Sequence, residues 1–93
     1  MSDMMIEIVH KGNIEEILAH PGDYVDNSED VVLLKIHDSK DINNPTYIML
    51  GVDEYEKYYL VVEDNDVSED YFVADGSTLY ELFTELLDGV MKQ

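Results

Sequence analysis

The sequence predicts an α+β fold: a single antiparallel sheet of four to five strands with a short N-terminal helix and a longer C-terminal helix. Short runs rich in β-branched and aromatic residues are separated by turn residues, which is typical of strands. The connections between these runs are short, and short connections favour antiparallel neighbours. The last segment carries a helical apolar stripe instead. The predicted order is β-α-β-β-β-β-α, in one domain over residues 1–93.

The first strand is predicted over Met4–Val9, an apolar and β-branched run that Gly12 ends. Asn13 then has the residue type and position of a helix N-cap, with Glu16 three residues later in capping-box spacing. The run His20–Gly22 should end this short helix, because proline cannot continue it.

Four strand-like runs form the middle of the chain. Polar turn signals separate them at 38–45, at 53–57 and at 64–66. Each run is short enough to be one strand of a sheet. The predicted strands are Val31–His37, Tyr47–Val52, Tyr58–Glu63 and Tyr71–Ala74.

The C-terminal helix has the strongest pattern in the chain. Thr78 and Glu81 form a second capping box. Apolar residues from Leu79 to Val90 then recur at three- and four-residue spacing, which places them on one side of a helix of about three turns. Burying this stripe and that of the first helix on the same face of the sheet gives the α+β architecture.

The composition is strongly acidic: 22 Asp and Glu stand against 5 Lys, there is no Arg, and the net charge is −17. The 45% of hydrophobic residues excludes an acidic disordered tail, which would lack apolar surface to bury. Phosphate repulsion excludes free nucleic acid and anionic membranes as direct partners. With no membrane-length apolar run, no signal peptide and no Cys, we expect a cytoplasmic protein without disulfides or Cys-ligated zinc.

No pattern in the sequence predicts a catalytic, metal or cofactor site, so we expect a protein that is not an enzyme. The serines lie in turn-like or terminal contexts, and His10, His20 and His37 lie on three different predicted elements. The acids of 64–75 resemble a calcium loop in spacing, but Glu69 occupies the position that requires Gly, which favours a solvated acidic turn.

The acids are concentrated in residues 53–75, where nine acids stand against Lys57 alone. Carboxylates on strand edges and turns recur every few ångströms, a spacing similar to that of phosphates along a DNA strand. A folded acidic edge of this kind can imitate DNA and occupy a DNA-binding channel; the alternative is a solvated rim without a partner. The acids of this edge that we expect to mimic phosphates are Asp53, Glu54, Glu63, Asp64, Asp66, Glu69 and Asp70.

Two stretches resemble the phage-encoded uracil-DNA glycosylase inhibitors, which are small acidic DNA mimics. The first is 15–21, with the sequence EEILAHP, and the second runs from Tyr47 to Asp64 and is similar to the central hairpin of that family. The resemblance implies that Glu15 and Glu16 are phosphate mimics, supported by Asp23, Asp53 and Glu54. The family's first stretch is a strand whereas the capping box predicts a helix, and both alternatives remain open at this point.

The resemblance also implies an apolar pocket that receives a protruding leucine of the enzyme. Its lining would be Val25, Ile48, Leu50 and Val61. A core position is the alternative for Ile48, Leu50 and Val61, because each strand must bury one face. Tyr58, Tyr59 and Tyr71 are ordinary strand aromatics unless several are exposed beside the acids, since Tyr is favoured in interfaces.

We therefore expect an inhibitor that blocks a basic DNA-binding enzyme of an infected or prophage-carrying host cell. Uracil-DNA glycosylase is the first candidate. A Cas nuclease, inhibited by an anti-CRISPR protein, is the second. A third alternative is an acidic immunity or regulatory protein unrelated to DNA, because the charge argument serves any basic partner.

Overall fold

A computed structural model describes residues 4–10, 12–38, 41–65 and 67–92. It confirms the α+β class and the predicted element order. The elements are β1 (Met4–Ile8), α1 (Ile14–Ala19), a 3-10 turn (Pro21–Asp23), β2 (Val31–Asp38), β3 (Asp41–Val52), β4 (Tyr58–Asp64), β5 (Val67–Phe72) and α2 (Leu79–Met91).

The five strands form one sheet in the order β1-β2-β3-β4-β5, and every neighbouring pair is antiparallel. From β2 to β5 the strands follow one another through short turns, so sequence neighbours are also sheet neighbours. Strand β1 reaches β2 through α1 and the 3-10 turn. The sheet consequently has two free edges, β1 and β5.

Both helices begin at the predicted capping residues. The Asn13 side chain accepts the backbone N–H of Glu16 at 3.3 Å, and the Thr78 hydroxyl accepts that of Glu81 at 3.1 Å. These bonds satisfy N–H groups that have no partner within a helix. The segment with Glu15 and Glu16 is thus a helix, as the capping box predicts.

The core lies between the two helices and one face of the sheet, here called the helix face. Ile48, Leu50 and Leu60 are fully buried on this face. Ile17 of α1 and Phe83 of α2 pack into the same cluster. Because directly opposite residues of antiparallel strands share a face, the residues between these positions point to the other side of the sheet, here called the open face.

Two strand boundaries differ from the prediction. Strand β5 is Val67–Phe72 rather than Tyr71–Ala74, so Glu69 and Asp70 lie in a strand and not in a turn. Acids are poor strand formers, but here β4 supplies a full ladder and the side chains point into water at an edge. Strand β3 starts at Asp41 rather than Tyr47; the ladder with β2 is irregular there, which accommodates Pro45.

Candidate partner-binding surface

The ladders from β3 to β5 arrange side chains of the open face in three rows. One row ends in Phe72, which is 52% exposed, and the middle row contains Val61, which is buried. The face therefore presents apolar and aromatic groups beside acids. The rows are Gly51–Tyr59–Phe72, Met49–Val61–Asp70 and Tyr47–Glu63–Ser68.

Tyr59 crosses the sheet over Gly51. A Cβ on Gly51 would lie 2.6 Å from Tyr59 Cζ and 2.5 Å from Asp30 Oδ1, so only glycine fits beneath the ring. The Tyr59 hydroxyl donates to Asp30 Oδ1 at 3.3 Å. On its other side the ring contacts Phe72, with centroids 5.4 Å apart. These contacts fix an aromatic pair on the open face.

Three carboxylates act on the Tyr59 hydroxyl, Asp30 through a hydrogen bond and Asp53 and Asp70 through their charge. Burial raises the pKa of Tyr59, and the negative charges of Asp30, Asp70 and Asp53 raise the pKa further because they oppose a phenolate. The three acids come from the start of β2, from β5 and from the end of β3. Only the folded sheet brings them together.

We call Asp30, Asp53, Glu63 and Asp70 the acidic rim. The rim flanks an apolar centre formed by Tyr47, Met49, Tyr59 and Phe72, with Val61 buried among them. Asp30 and Asp70 are exposed, whereas Asp53 and Glu63 are half-buried. An apolar and aromatic centre with charged residues at its border is the usual composition of a protein–protein interface.

Asp53 also shapes the β3–β4 turn. Its Oδ1 accepts the backbone N–H groups of Tyr55 and Lys57, at 2.9 Å and 2.8 Å. This capping supports the left-handed backbone of Glu56, whose φ is 63°. One oxygen of Asp53 is therefore engaged in the turn, while Glu54 is fully available to solvent.

A cleft of about 690 Å³ opens between the β3–β4 turn and the connection from β5 to α2. Tyr58, Phe72 and Leu79 form apolar parts of its wall. Asp53, Glu56 and Asp75 line it as well, together with Lys57. The cleft adjoins the acidic rim through Asp53.

The predicted phosphate mimics do not share one face. Glu15 and Glu16 are exposed on α1, and Asp23 is exposed in the 3-10 turn. Glu69 lies opposite Val62 on the helix face, where it accepts the Tyr71 hydroxyl at 2.5 Å. This hydrogen bond raises the pKa of Tyr71, because it stabilises the neutral phenol.

Two predicted acids remain, Asp64 and Asp66. Asp64 is exposed at the end of β4. Asp66 lies outside the described residues. Of the predicted set, the open face brings together Asp53, Glu63 and Asp70.

The predicted pocket residues are all buried. Ile48 and Leu50 are 0% exposed, and Val25 is 8% exposed; all three belong to the core cluster. Val61 lies on the open face between Met49 and Asp70 and is 4% exposed. The structure therefore places Val25, Ile48 and Leu50 in the core. For Ile48 and Leu50 this is the alternative position that strand packing predicts. None of the three lies at a surface that a leucine could enter.

The histidines serve local structure. His10 Nδ1 accepts the Gly12 N–H at 3.0 Å, and its ring meets Tyr24 edge-on. His20 is the C-cap of α1, and His37 lies in β2. Among the described residues, no three His, Asp or Glu side chains are grouped so as to hold a metal ion.

The carboxylates have very few internal cations. Within the described ranges one ion pair occurs, between Lys92 Nζ and Asp88 on α2 at 3.0 Å. No charged residue whose exposure the structure describes is buried. The negative charge is consequently displayed to solvent and largely unneutralised.

Sequence reasoning missed Asp30 as a member of this surface and named Tyr59 only on the condition that several tyrosines are exposed beside the acids. A signal was present in Gly51, because a glycine inside a strand often marks the close approach of another group. Neither helix in the described part of the chain combines the length and the apolar character needed to cross a membrane. Comparison of the chain with protein-family models, with curated proteins and with solved structures finds no match.

Proposed function

We propose that this protein is a non-enzymatic inhibitor that imitates DNA and occupies the basic DNA-binding site of a host enzyme. The observation that carries the proposal is the open face, where an acidic rim flanks an apolar centre. Lys35 is the single lysine among the described residues whose strand position is on this face, opposite Glu7 and Tyr47. A DNA-binding channel offers the matching surface, rich in Lys and Arg.

The acidic rim attracts the basic enzyme, and the apolar centre provides most of the binding free energy. Long-range attraction between a net charge of −17 and a basic channel accelerates encounter. Desolvated aromatic and apolar contacts then slow dissociation, as in interfaces generally. Tyr59 and Phe72 are suited to this because their rings already contact each other in the free protein, with centroids 5.4 Å apart.

A uracil-DNA glycosylase is the first candidate target and a Cas nuclease the second. The cytoplasm of an infected or prophage-carrying cell is the compartment where such targets act on DNA. The expected partner is a protein, because free DNA and anionic lipid are repelled by the same carboxylates.

The test is competition with DNA. A fluorescent duplex is bound to each candidate enzyme, and the protein is added at micromolar concentration and low salt while anisotropy is measured. We expect the duplex to be displaced from one of the enzymes. If no candidate loses its DNA, the proposal is contradicted; binding without competition would instead indicate an immunity or regulatory protein.

A pair of matched variants locates the contact. Glu63→Gln with Asp70→Asn removes two charges from the acidic rim, and Glu81→Gln with Glu85→Gln removes two from α2. Each pair of substitutions removes two negative charges. An effect that depends only on the net charge would therefore slow association equally in both variants. We expect the rim pair to slow association with the target several-fold more than the α2 pair.

A further inference from the structure

We propose that β1 is a self-association edge, through which two copies of this chain pair antiparallel and join their sheets into one of ten strands. This inference is independent of the proposed function. It rests on the exposure, the backbone direction and the charge of β1.

Three apolar side chains of β1 are exposed. Met5 is 51% exposed, Ile6 46% and Ile8 63%, and Val9 just beyond the strand is 44% exposed. Ile6 and Ile8 lie on the helix face, opposite Ile36 and Leu34, yet those partners are buried while β1 is not. The helices thus cover the sheet as far as β2 and leave its first strand open.

The backbone of β1 has free hydrogen-bonding groups at defined positions. Val9 donates its N–H to the Leu33 carbonyl, so it points toward β2. Since successive residues of a strand point to opposite sides, the N–H and C=O groups of Ile8 and Ile6 point away from β2.

The hydrogen bonds between β3 and β4 lead to the same assignment of inward and outward backbone groups in β1. The N–H of Asp53 bonds Lys57 O, so Asp53 points toward β4, and alternation along β3 then directs Ile48 toward β2. Leu34, opposite Ile48, therefore bonds to β3. Ile8, opposite Leu34, is left with outward backbone groups.

This edge is complementary to itself. A two-fold axis at Ile6 places Ile6 opposite its copy and Met4 opposite Ile8 of the second copy. Glu7 then lies opposite Met5 of the second copy, so no two carboxylates are directly opposed. Two-fold pairing of identical patches is the commonest form of homo-oligomer, and adding a strand to an open edge is an established binding mode.

The charge distribution selects β1 for a second copy. Glu7 is the one acid in this strand, and Lys35 lies opposite it on β2. The edge is therefore nearly neutral in a protein of net charge −17, and it offers little to a basic partner. An axis at Ile6 perpendicular to the sheet also keeps both open faces on the same side, side by side.

Salt dependence gives the first test, by sedimentation equilibrium of the full chain. Two copies of charge −17 repel each other, so salt should strengthen their association. We expect a mass of twice 10.7 kDa at about 1 M NaCl, where the Debye length is about 3 Å, and dissociation as salt is lowered. A protein that stays monomeric at every salt concentration, or that dissociates as salt is added, would overturn the proposal.

Variants give the second test. Ile6→Lys places two ammonium groups opposite each other at the axis, and should leave the protein monomeric with an unchanged melting temperature. Val67→Lys is the matched control, because it adds the same charge to a 64% exposed residue of the other edge, β5, and should still dimerise. If Ile6→Lys lowers the melting temperature, Ile8→Lys replaces it, since Ile8 is more exposed. A dimer that survives either folded variant would place the interface elsewhere and overturn the proposal.

Discussion

The two edge strands of the sheet have the same backbone situation and opposite chemistry. Each is hydrogen-bonded on one side only, β1 to β2 and β5 to β4. β1 carries a single acid among apolar side chains, whereas β5 carries Glu69 and Asp70, on alternate faces. Charges on an edge strand oppose pairing with another chain, and apolar edges invite it. The difference indicates that the acids of β5 oppose pairing at that edge, whereas β1 lacks such a barrier.

Both edge strands keep exposed apolar residues. Helix α2 packs over β4, next to β5, and shares the core with the central strands. Ile6 and Ile8 of β1 receive no such cover. Val67 and Phe72 of β5 are exposed as well, at 64% and 52%, so the two edges differ in charge more than in apolar exposure.

The largest expected effect concerns the strands that hold both edges together. Leu50→Ala empties a fully buried position in β3 and should lower the free energy of unfolding by about 2–5 kcal/mol. Thermal unfolding measures the loss, and amide exchange should speed up in β1 and β5 together. A variant that melts like the parent but dissociates faster from a target would contradict the core position and restore the pocket implied by the resemblance.

A smaller loss is expected where β3 passes beneath Tyr59. Gly51→Ala would push a methyl group against the Tyr59 ring and Asp30, at a cost of about 1–3 kcal/mol. The displaced ring should disturb the open face next to β5 and leave β1 unchanged. Gly89→Ala is the control, because nothing lies within 4 Å of the added Cβ and alanine should stabilise α2 by about 0.5–1 kcal/mol. Equal destabilisation by both changes would argue against the close contact.

Tyr59 should make the sheet sensitive to high pH. Its pKa is raised in the folded state, so its contribution to stability is present below the ordinary value of 10.0 and is lost as the pH rises through the folded value. Tyr59→Phe removes this titration along with the bond to Asp30, which is worth about 1 kcal/mol at neutral pH. Denaturant unfolding at neutral and alkaline pH should show a smaller alkaline loss in the variant. An identical loss in both proteins would show that Tyr59 does not titrate as described.

The smallest change in folding energy is expected from removing the charges of β5. Glu69→Thr with Asp70→Thr alters exposed side chains and should change stability by less than about 0.5 kcal/mol. It should nevertheless allow β5 to pair with another copy. Light scattering should then show extended oligomers instead of dimers. Glu81→Gln with Glu85→Gln removes the same charge from α2 and should not. Equal scattering by both double variants would mean that the net charge, rather than the position of the acids on β5, prevents association.

Local signals predicted most of the fold. The capping boxes at Asn13 and Thr78 each act within four residues, and the apolar stripe of α2 repeats with the helical period, so both helices could be read directly. The start of β5 could not, because Glu69 and Asp70 have poor strand propensity and acquire their conformation from the ladder with β4. For the same reason the predicted acidic turn was wrong for the residues from Val67 to Asp70, which lie in β5.

The sequence by itself determined the charge, the number of strands and the two helices, because these depend on composition and on contacts between near neighbours. Only the tertiary structure decided which acids act together. Asp30, Asp53 and Asp70 are far apart along the chain and converge on Tyr59 through the register of four strands. It also decided that Ile6 and Ile8 stay exposed while Ile48 and Leu50 are buried, although all four are strand aliphatics. Burial depends on which strands the helices cover, and that follows from the packing of the whole sheet rather than from any local pattern.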